Sequence, residues 1–193
     1  FLAGADYEMT LTGHMGQTNL WRVTDTGKPV RFPRCKWALD LSDKPFPGRK
    51  AERSAYDEKG LDALGKWYWE SGFDHNPIEK GEYIRDWNFG AMYGAWDCLK
   101  NVDKMYPNHK IEWAAYISGK RESRRLLGDI VLTKEDLVSG KAYSDGCVPM
   151  SWTIDLHLPH KQYEKGFEGD AFISKDYHTK YTRPYWIPYR CLY

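Results

Sequence analysis

Four basic residues and one acid stand within residues 120–125, a stretch we call the basic cluster. Apolar residues surround it, at 113–117 before it and, as five aliphatic side chains, within 126–132 after it. Such flanks predict strands that are buried on at least one side. A cation at the end of a buried strand usually meets an anion, because burying it alone is costly. The cluster therefore predicts a local anion partner, with a solvated charged surface as the alternative.

His157 is a second residue whose type suits chemistry. It ends the tripeptide Asp155-Leu156-His157 on a strand predicted over residues 148–158. Histidine titrates near neutral pH, and Asp155 shares its strand face because alternate residues of a strand point to the same side. His157 is therefore a candidate general base or substrate-orienting donor. A structural histidine with satisfied hydrogen bonds is the alternative interpretation.

The overall charge argues against two classes of partner. The 28 basic and 27 acidic residues leave a formal net charge of +1, so the chain has no global field that would attract nucleic acid or an anionic membrane. No apolar run approaches the roughly 20 residues of a membrane-spanning helix. We therefore expect a soluble protein, cytoplasmic or periplasmic, with neither nucleic acid nor membrane as partner.

Several catalytic and binding motifs are missing from the sequence. No two glycines are spaced as G-x-G, which excludes a Rossmann fingerprint within the chain. The sequence has no G-x-S-x-G and no H-E-x-x-H motif. The four cysteines are scattered without a CxxC pair, so we predict buried thiols and no metal site.

One long helix is predicted to begin after Asn76, which can cap it, with Pro77 in its first position. Apolar residues then recur at three- and four-residue steps as far as Met105, which predicts a face packed into the core. Gly90 and Gly94 lie on or beside this face. We interpret them as points where another backbone approaches closely, and a flat ligand is the alternative.

The remaining segments predict short elements. Residues 18–24 and 30–32 predict a hairpin around a turn at 25–29, and residues 40–62, polar and without a period, predict a surface loop. A capping box predicts a short helix that begins at Thr133 and ends at Gly140. Further strands are predicted at 66–72, 111–117, 130–132 and 186–192. We therefore predict a single α+β domain, with a largely antiparallel sheet packed against one long helix and short helices.

Three segments resemble a family of FAD-dependent oxidoreductases, often bacterial. They are GKRESRRLLGDIVLTKEDL, SDGCVPMSWTIDLHLP and YWIPYRCLY, in that order, and FLAGADYE resembles the stretch after a flavin-domain motif of the family. Some relatives carry a "xanthan lyase" label, which no residue of this chain supports. The resemblance implies that residues 1–193 are the middle portion, a substrate or cap domain without the Rossmann-type FAD domain of the same protein.

The resemblance also implies roles for individual residues. Arg121 and Arg124 become catalytic candidates beside His157, since guanidinium groups hold carboxylates or stabilise negative charge that develops during hydride transfer. Three further residues become candidates for cofactor binding: Arg125, Tyr189 and Arg190. Strand alternation would divide the arginines between two faces, so one set could form structural ion pairs to the FAD domain instead.

The family's chemistry sets expectations for the cofactor and the substrate. The intact protein should bind FAD and oxidise a small molecule or saccharide, whereas this chain alone should bind no FAD and be inactive. The rival hypothesis is a carbohydrate-binding module, motivated by an aromatic content of 16% with 9 Trp and 14 Tyr. Its stacking candidates are Trp67, Trp69, Trp113 and Trp152.

Overall fold

The computed structural model describes residues 4–49, 58–164, 166–180 and 184–193. Within these ranges the chain forms three α-helices and ten short strands, which confirms the α+β class. The helices are α1 Gly81–Asp97, α2 Lys134–Ser139 and α3 Lys161–Glu164. The strands are β1 Tyr7–Met9, β2 Gln17–Thr18, β3 Trp21–Asp25, β4 Glu70–Ser71, β5 His109–Ala114, β6 Arg124–Leu126, β7 Gly146–Met150, β8 Ile154–Pro159, β9 Ser174–Thr179 and β10 Tyr185–Pro188.

The strands pair two by two and are all antiparallel. The pairs are β1 with β6, β2 with β4, β3 with β5, β7 with β10 and β8 with β9. The antiparallel arrangement is confirmed, but the strands build five small sheets where one larger sheet was expected. The core packs around α1 and includes Trp21 of β3 and several loop residues. Its fully buried side chains include Trp96, Tyr68, Phe46, Leu41 and Ile84.

The predicted hairpin at 18–32 is wrong in its second half. Strand β3 pairs with β5, and Trp21 is buried in the core. The turn itself is present, since Gly27 has a φ of 70° and donates its backbone N–H to Asp25. Beyond the turn, Val30 donates to the carbonyl of Pro107 at 3.0 Å, so the returning chain runs along this loop and forms no strand.

Helix α1 begins later than predicted. The Asn76 side chain accepts hydrogen bonds from the backbone N–H groups of Ile78 and Glu79, and so caps a turn that precedes the helix. The helix itself starts at Gly81, and after Asp97 it continues as a π-helical turn, Cys98–Val102. The predicted apolar face is confirmed from Ile84 to Cys98, where Ile84, Ala91, Ala95 and Cys98 are buried, but Val102 is 40% exposed.

The close approach predicted at Gly90 and Gly94 is confirmed, and the neighbour is the backbone at Leu39. The Leu39 backbone N–H donates to the carbonyl of Gly90 at 3.1 Å. A Cβ atom on Gly94 would lie 2.2 Å from the Leu39 carbonyl oxygen, whereas a Cβ on Gly90 would lie 3.5 Å from the nearest Leu39 atom. The two glycines therefore differ sharply in the space that they leave.

Gly94→Ala is expected to lower the free energy of unfolding by about 1–3 kcal/mol, because the new methyl group overlaps a backbone atom that cannot move alone. Gly90→Ala is the matched control on the same helix. It should be neutral or stabilising by about 0.5–1 kcal/mol, since alanine is the better helix former. Urea unfolding of both variants measures the difference. Equal stability of the two variants would contradict the close contact at Gly94.

The surface loop predicted at 40–62 is buried in its first part. Leu41 and Phe46 are each 1% exposed and belong to the core. The side chain of Arg49 is also buried and donates to the backbone carbonyls of Leu41, Ser42 and Lys44. The Arg49 side chain, rather than a neighbouring strand, therefore binds these three carbonyl groups. Residues 50–57 lie outside the described residues.

The buried flanks predicted for the basic cluster are wrong. Trp113 is 52% exposed, Tyr116 75% and Ile117 61%, and residues 130–132 form no strand. Within the described ranges, β5 pairs with β3 and β6 pairs with β1, so each strand has one neighbour and one unpaired edge. The apolar pattern was therefore a poor guide to burial here.

Of the next three elements predicted from local sequence patterns, only the short helix formed as predicted. The capping box is confirmed, since Thr133 Oγ1 accepts from the Asp136 backbone and Asp136 accepts from the Thr133 backbone. Hydrogen bonds from Lys141 and Thr133 lower the pKa of Asp136 to about 2. The strand predicted at 148–158 is in fact two strands, β7 and β8, which pair with different partners. The terminal strand, predicted at 186–192, ends at Pro188, before a 3-10 turn at Tyr189–Cys191.

The cysteines are free, but only Cys98 is fully buried as predicted; Cys35 and Cys191 are half-buried and Cys147 is exposed. Burial raises the pKa of the Cys98 thiol to about 11. Among the described residues, no helix is both long enough and apolar enough to cross a membrane.

His160 follows β8 and is 8% exposed. Burial, followed by repulsion from Lys175, lowers its pKa below the ordinary value of 6.5. Its Nδ1 atom accepts the backbone N–H of Gln162 at 3.2 Å, which only an unprotonated nitrogen can do. The folded protein therefore favours the neutral ring.

His160 should make stability depend on pH. As the pH falls through 6.5, the unfolded chain takes up a proton that the folded chain resists, so the free energy of unfolding should fall. This contribution is fully present above that pH. Urea unfolding between about pH 8 and about pH 5 measures it, with His160→Asn as the variant that cannot titrate. The variant should lose less stability on acidification, and equal losses would contradict the assignment.

Candidate functional site

A cleft of about 320 Å³ lies over one face of the β8–β9 pair. We call it the β8–β9 cleft. Seven residues line it: Trp67, Arg121, Trp152, Asp155, His157, Asp176 and His178. It brings together two imidazoles, two carboxylates, a guanidinium and two indoles, which is a set suited to proton transfer and to binding a polar ligand with apolar faces.

Strand register explains how four of these residues meet. Strand β8 carries Asp155-Leu156-His157 and β9 carries Asp176-Tyr177-His178, so each has an aspartate and a histidine two positions apart. In the antiparallel register Asp155 faces His178, and His157 faces Asp176. Because side chains alternate along a strand, all four polar groups project from one face.

The opposite face of the same pair is apolar and exposed. Leu156 is 52% exposed, Leu158 42% and Tyr177 47%, whereas His157 is only 3% exposed. In a sheet packed on one side the apolar face usually points inward. This pair is reversed, which places its titratable side chains against the protein and in the cleft.

His157 is held from below by Glu70 of strand β4. Its Nδ1 atom lies 2.7 Å from Glu70 Oε2, which also accepts the Ser174 hydroxyl at 2.7 Å. Glu70 and Ser174 are fully buried. A carboxylate only accepts hydrogen bonds, so Nδ1 carries the proton and Nε2 of a neutral ring is left as the basic nitrogen. The pair orients His157 in the way that a carboxylate orients a catalytic histidine.

Nε2 of His157 lies on the cleft side, 3.4 Å from Asp155 Oδ1. That carboxylate oxygen is buried and has no hydrogen-bond partner, although His178 Nε2 lies 3.8 Å away. His178 is engaged elsewhere, since its Nε2 lies 2.7 Å from Asp176 and its Nδ1 lies 2.7 Å from the Thr153 hydroxyl. Asp155 Oδ1 is therefore a buried acceptor beside His157, and no group of the described residues donates a hydrogen bond to it.

The two indoles stand next to the two histidines. The ring of Trp67 lies 4.6 Å from that of His157, and the ring of Trp152 lies 6.5 Å from that of His178, measured between centroids. Trp152 is 68% exposed and Trp67 36%. Each indole therefore extends the polar centre of the cleft with an accessible apolar surface.

Of the six residues predicted for the site, the cleft brings together His157 and Arg121. Arg124 and Arg125 lie on β6, outside the cleft lining. Arg125 forms an ion pair with Glu8 of β1 at 3.2 Å, and the Arg124 guanidinium lies 5.5 Å from the ring centre of Tyr7. The chain enters a strand only at Arg124, so the alternation predicted along 120–125 is wrong for its first four residues.

Tyr189 and Arg190 lie in the 3-10 turn after β10 and do not line the cleft. The Arg190 guanidinium binds Asp145 through two contacts, at 3.0 Å and 2.8 Å, and holds the pKa of that carboxyl well below its usual range. The Tyr189 side chain is 56% exposed. Their roles in cofactor binding stay predictions.

Three residues of the site were missed from the sequence: Asp176 and His178 in the cleft, and Glu70 beneath them. A signal existed for the first two, since Asp176-Tyr177-His178 repeats the pattern of Asp155-Leu156-His157. No such signal existed for Glu70, which lies 87 residues from His157 in the sequence.

The described residues hold no group of three or more His, Cys, Asp or Glu side chains placed to bind a metal ion. Comparison with protein families matches residues 7–193 to the family described as FAD dependent oxidoreductase. No curated protein and no solved structure matches the chain.

Proposed function

Since the chain belongs to the family of FAD-dependent oxidoreductases, we propose that it is the substrate-binding cap domain of such an enzyme. The flavin of the intact enzyme would take up a hydride from the substrate, as the cofactor of such oxidoreductases does. The β8–β9 cleft would bind the substrate. The observation that carries this proposal is the His157–Glu70 pair, which presents an oriented basic nitrogen to a cleft in a chain of this family.

The described residues lack the elements that commonly hold the pyrophosphate of FAD. The FAD pyrophosphate is commonly held at a helix N-terminus that follows a glycine-rich turn and a parallel strand. The strand pairs of this chain are antiparallel, and its sequence has no G-x-G. Arg125 and Arg190, the cationic candidates, already bind carboxylates of the chain. We therefore propose that a separate nucleotide-binding domain of the same protein holds the cofactor.

The residues of the cleft would act on the substrate. His157 Nε2 would accept the proton from a substrate hydroxyl, while Glu70 keeps Nδ1 protonated and the ring in place. Arg121 would hold a substrate oxygen, because its guanidinium donates in a fixed fork. Arg124 stays a catalytic candidate from the family resemblance alone, and nothing in its contacts with β1 adds to that role.

Purification of the intact protein tests this proposal. Flavin absorbance should accompany the intact protein, whereas the 193-residue chain, once circular dichroism has shown that it is folded, should bind added FAD weakly or not at all. Tight FAD binding by the folded chain would overturn the cap-domain assignment. An intact protein without flavin would overturn the oxidoreductase assignment.

The exposed indoles keep the carbohydrate-binding module as a second candidate. Five of the nine tryptophans are at least 36% exposed: Trp37, Trp67, Trp113, Trp152 and Trp186. Trp69, one of the predicted stacking residues, is 3% exposed and packs in the core, so it cannot bind a sugar. A protein that binds saccharides at this cleft but carries no flavin when intact would favour the module.

A further inference from the structure

Resting on the proposed function, we propose that the β8–β9 cleft binds an uncharged saccharide, and that a sugar is therefore the substrate class. The proposal adds a ligand to a site whose chemistry the family assignment leaves open. It depends on three features of the cleft: its unpartnered polar atoms, its two accessible indoles and its charge.

The unpartnered polar atoms would be complementary to a ligand with several hydroxyl groups. Asp155 Oδ1 is buried without a hydrogen-bond partner, and it lies 3.4 Å from Nε2 of His157, whose side chain is 3% exposed. Both are acceptors that need an O–H or N–H donor. Arg121 supplies donors in the same cleft. A hydroxyl group both donates and accepts, so neighbouring hydroxyls of one sugar ring match this mixed set.

The two indoles supply apolar surfaces that can contact the C–H faces of a sugar ring. Trp67 and Trp152 line the cleft beside the two histidines and keep part of their rings accessible. A rigid ring with an apolar body and a polar edge suits a ligand that has C–H faces and hydroxyl edges. The cleft volume of about 320 Å³ lies at the small end of ligand pockets, which fits one or two sugar rings.

The charge of the cleft argues against anionic ligands. Two aspartates face one arginine, and Glu70 lies beneath His157. The buried oxygen of Asp155 would meet a phosphate or carboxylate with like charge and without a proton to share. A phosphorylated sugar or a sugar acid should therefore bind more weakly than the neutral sugar of the same ring.

Binding of defined sugars to the intact protein tests the proposal. The neutral probes are D-glucose, D-galactose, D-mannose, D-xylose and L-arabinose, and D-glucuronate is the charged probe. Titration calorimetry should find at least one neutral sugar that binds in the millimolar range or tighter, and D-glucuronate should bind more weakly than D-glucose. Trp152→Ala should weaken the binding about tenfold or more.

Trp113→Ala is the matched control, because Trp113 is an exposed indole of β5 that does not line the cleft. It should leave the sugar affinity within about twofold. Asp155→Asn should also weaken binding, and a circular dichroism spectrum like that of the parent would separate this effect from misfolding. Absence of binding by all neutral probes, preference for D-glucuronate, or equal losses in the two tryptophan variants would each overturn the proposal.

The experiments distinguish a failure of the saccharide proposal from a failure of the oxidoreductase proposal. An intact flavoprotein whose cleft variants do not change sugar binding would overturn the saccharide assignment alone. An intact protein without flavin that binds sugars through Trp152 would overturn the oxidoreductase assignment and leave the saccharide site standing.

Discussion

His157→Gln in the intact protein is expected to slow reduction of the bound flavin by substrate about 100-fold to 10,000-fold, with the flavin content unchanged. The histidine is the group in the cleft that combines an oriented proton on one nitrogen with a free acceptor on the other. Glutamine keeps an amide that can donate to Glu70, so the fold should survive. Anaerobic stopped-flow absorbance of the flavin, with a sugar that the intact protein binds, measures the rate.

Variants of two residues near His157 distinguish a catalytic role of this histidine from a structural one. Glu70→Gln removes the carboxylate that orients the ring, so it should lower the rate and also change its dependence on pH, as expected for a positioning residue. His178→Gln should have a smaller effect, within about tenfold, because both nitrogens of His178 are already engaged by Asp176 and Thr153. Equal losses in the His157 and His178 variants would argue against His157 as the base.

Arg49→Met is expected to lower the free energy of unfolding by about 3–5 kcal/mol. The Arg49 guanidinium is 8% exposed and pairs with Asp103 at 3.0 Å and 3.1 Å. Its other donors bind the carbonyls of Leu41, Ser42 and Lys44. Methionine would leave the largely buried Asp103 carboxylate and the carbonyl groups of Ser42 and Lys44 without the guanidinium that binds them, and the cost of burying such groups unpaired is large.

An exposed ion pair provides the control for Arg49. Arg22 binds Glu112 at 3.1 Å across β3 and β5, with side chains that are 74% and 43% exposed. Arg22→Met should therefore cost at most about 1 kcal/mol. Thermal and urea unfolding of both variants measures the difference. If Arg49→Met folds too poorly to measure, Asp103→Asn, which keeps the shape of its partner, should give an intermediate loss. A loss at Arg49 no larger than that at Arg22 would contradict the assigned role.

The sequence was most informative where a structure depends on residues a few positions apart. The capping box at Thr133 and Asp136 formed as predicted because both of its hydrogen bonds join residues three positions apart. The core face of α1 was equally predictable, because helical periodicity alone places Ile84, Ala91 and Ala95 on one side. The two Asp-x-His tripeptides were visible in the sequence, although only one was identified.

Strand pairing was much less predictable. The hairpin expected at 18–32 did not form, because β3 pairs with the distant residues 109–114. The local turn did not decide the partner of β3, whose Trp21 is buried in the core. The apolar residues around the basic cluster were expected to be buried, but Trp113 is 52% exposed and Ile117 is 61% exposed. Apolar character shows which residues gain from burial, and the neighbours that could bury them are set by the whole chain.

The sequence by itself determined the α+β class, the core face of the long helix and the close approach at Gly94, and it gave His157 as a candidate for chemistry. Only the tertiary structure decided which groups surround His157. Glu70 reaches it from another strand pair, and Asp176 and His178 reach it through the register of β9 against β8. A cleft assembled from three strands depends on long-range pairing, whereas capping and periodicity depend on neighbours along the chain, which is why the sequence indicated His157 as a candidate without Glu70, Asp176 and His178.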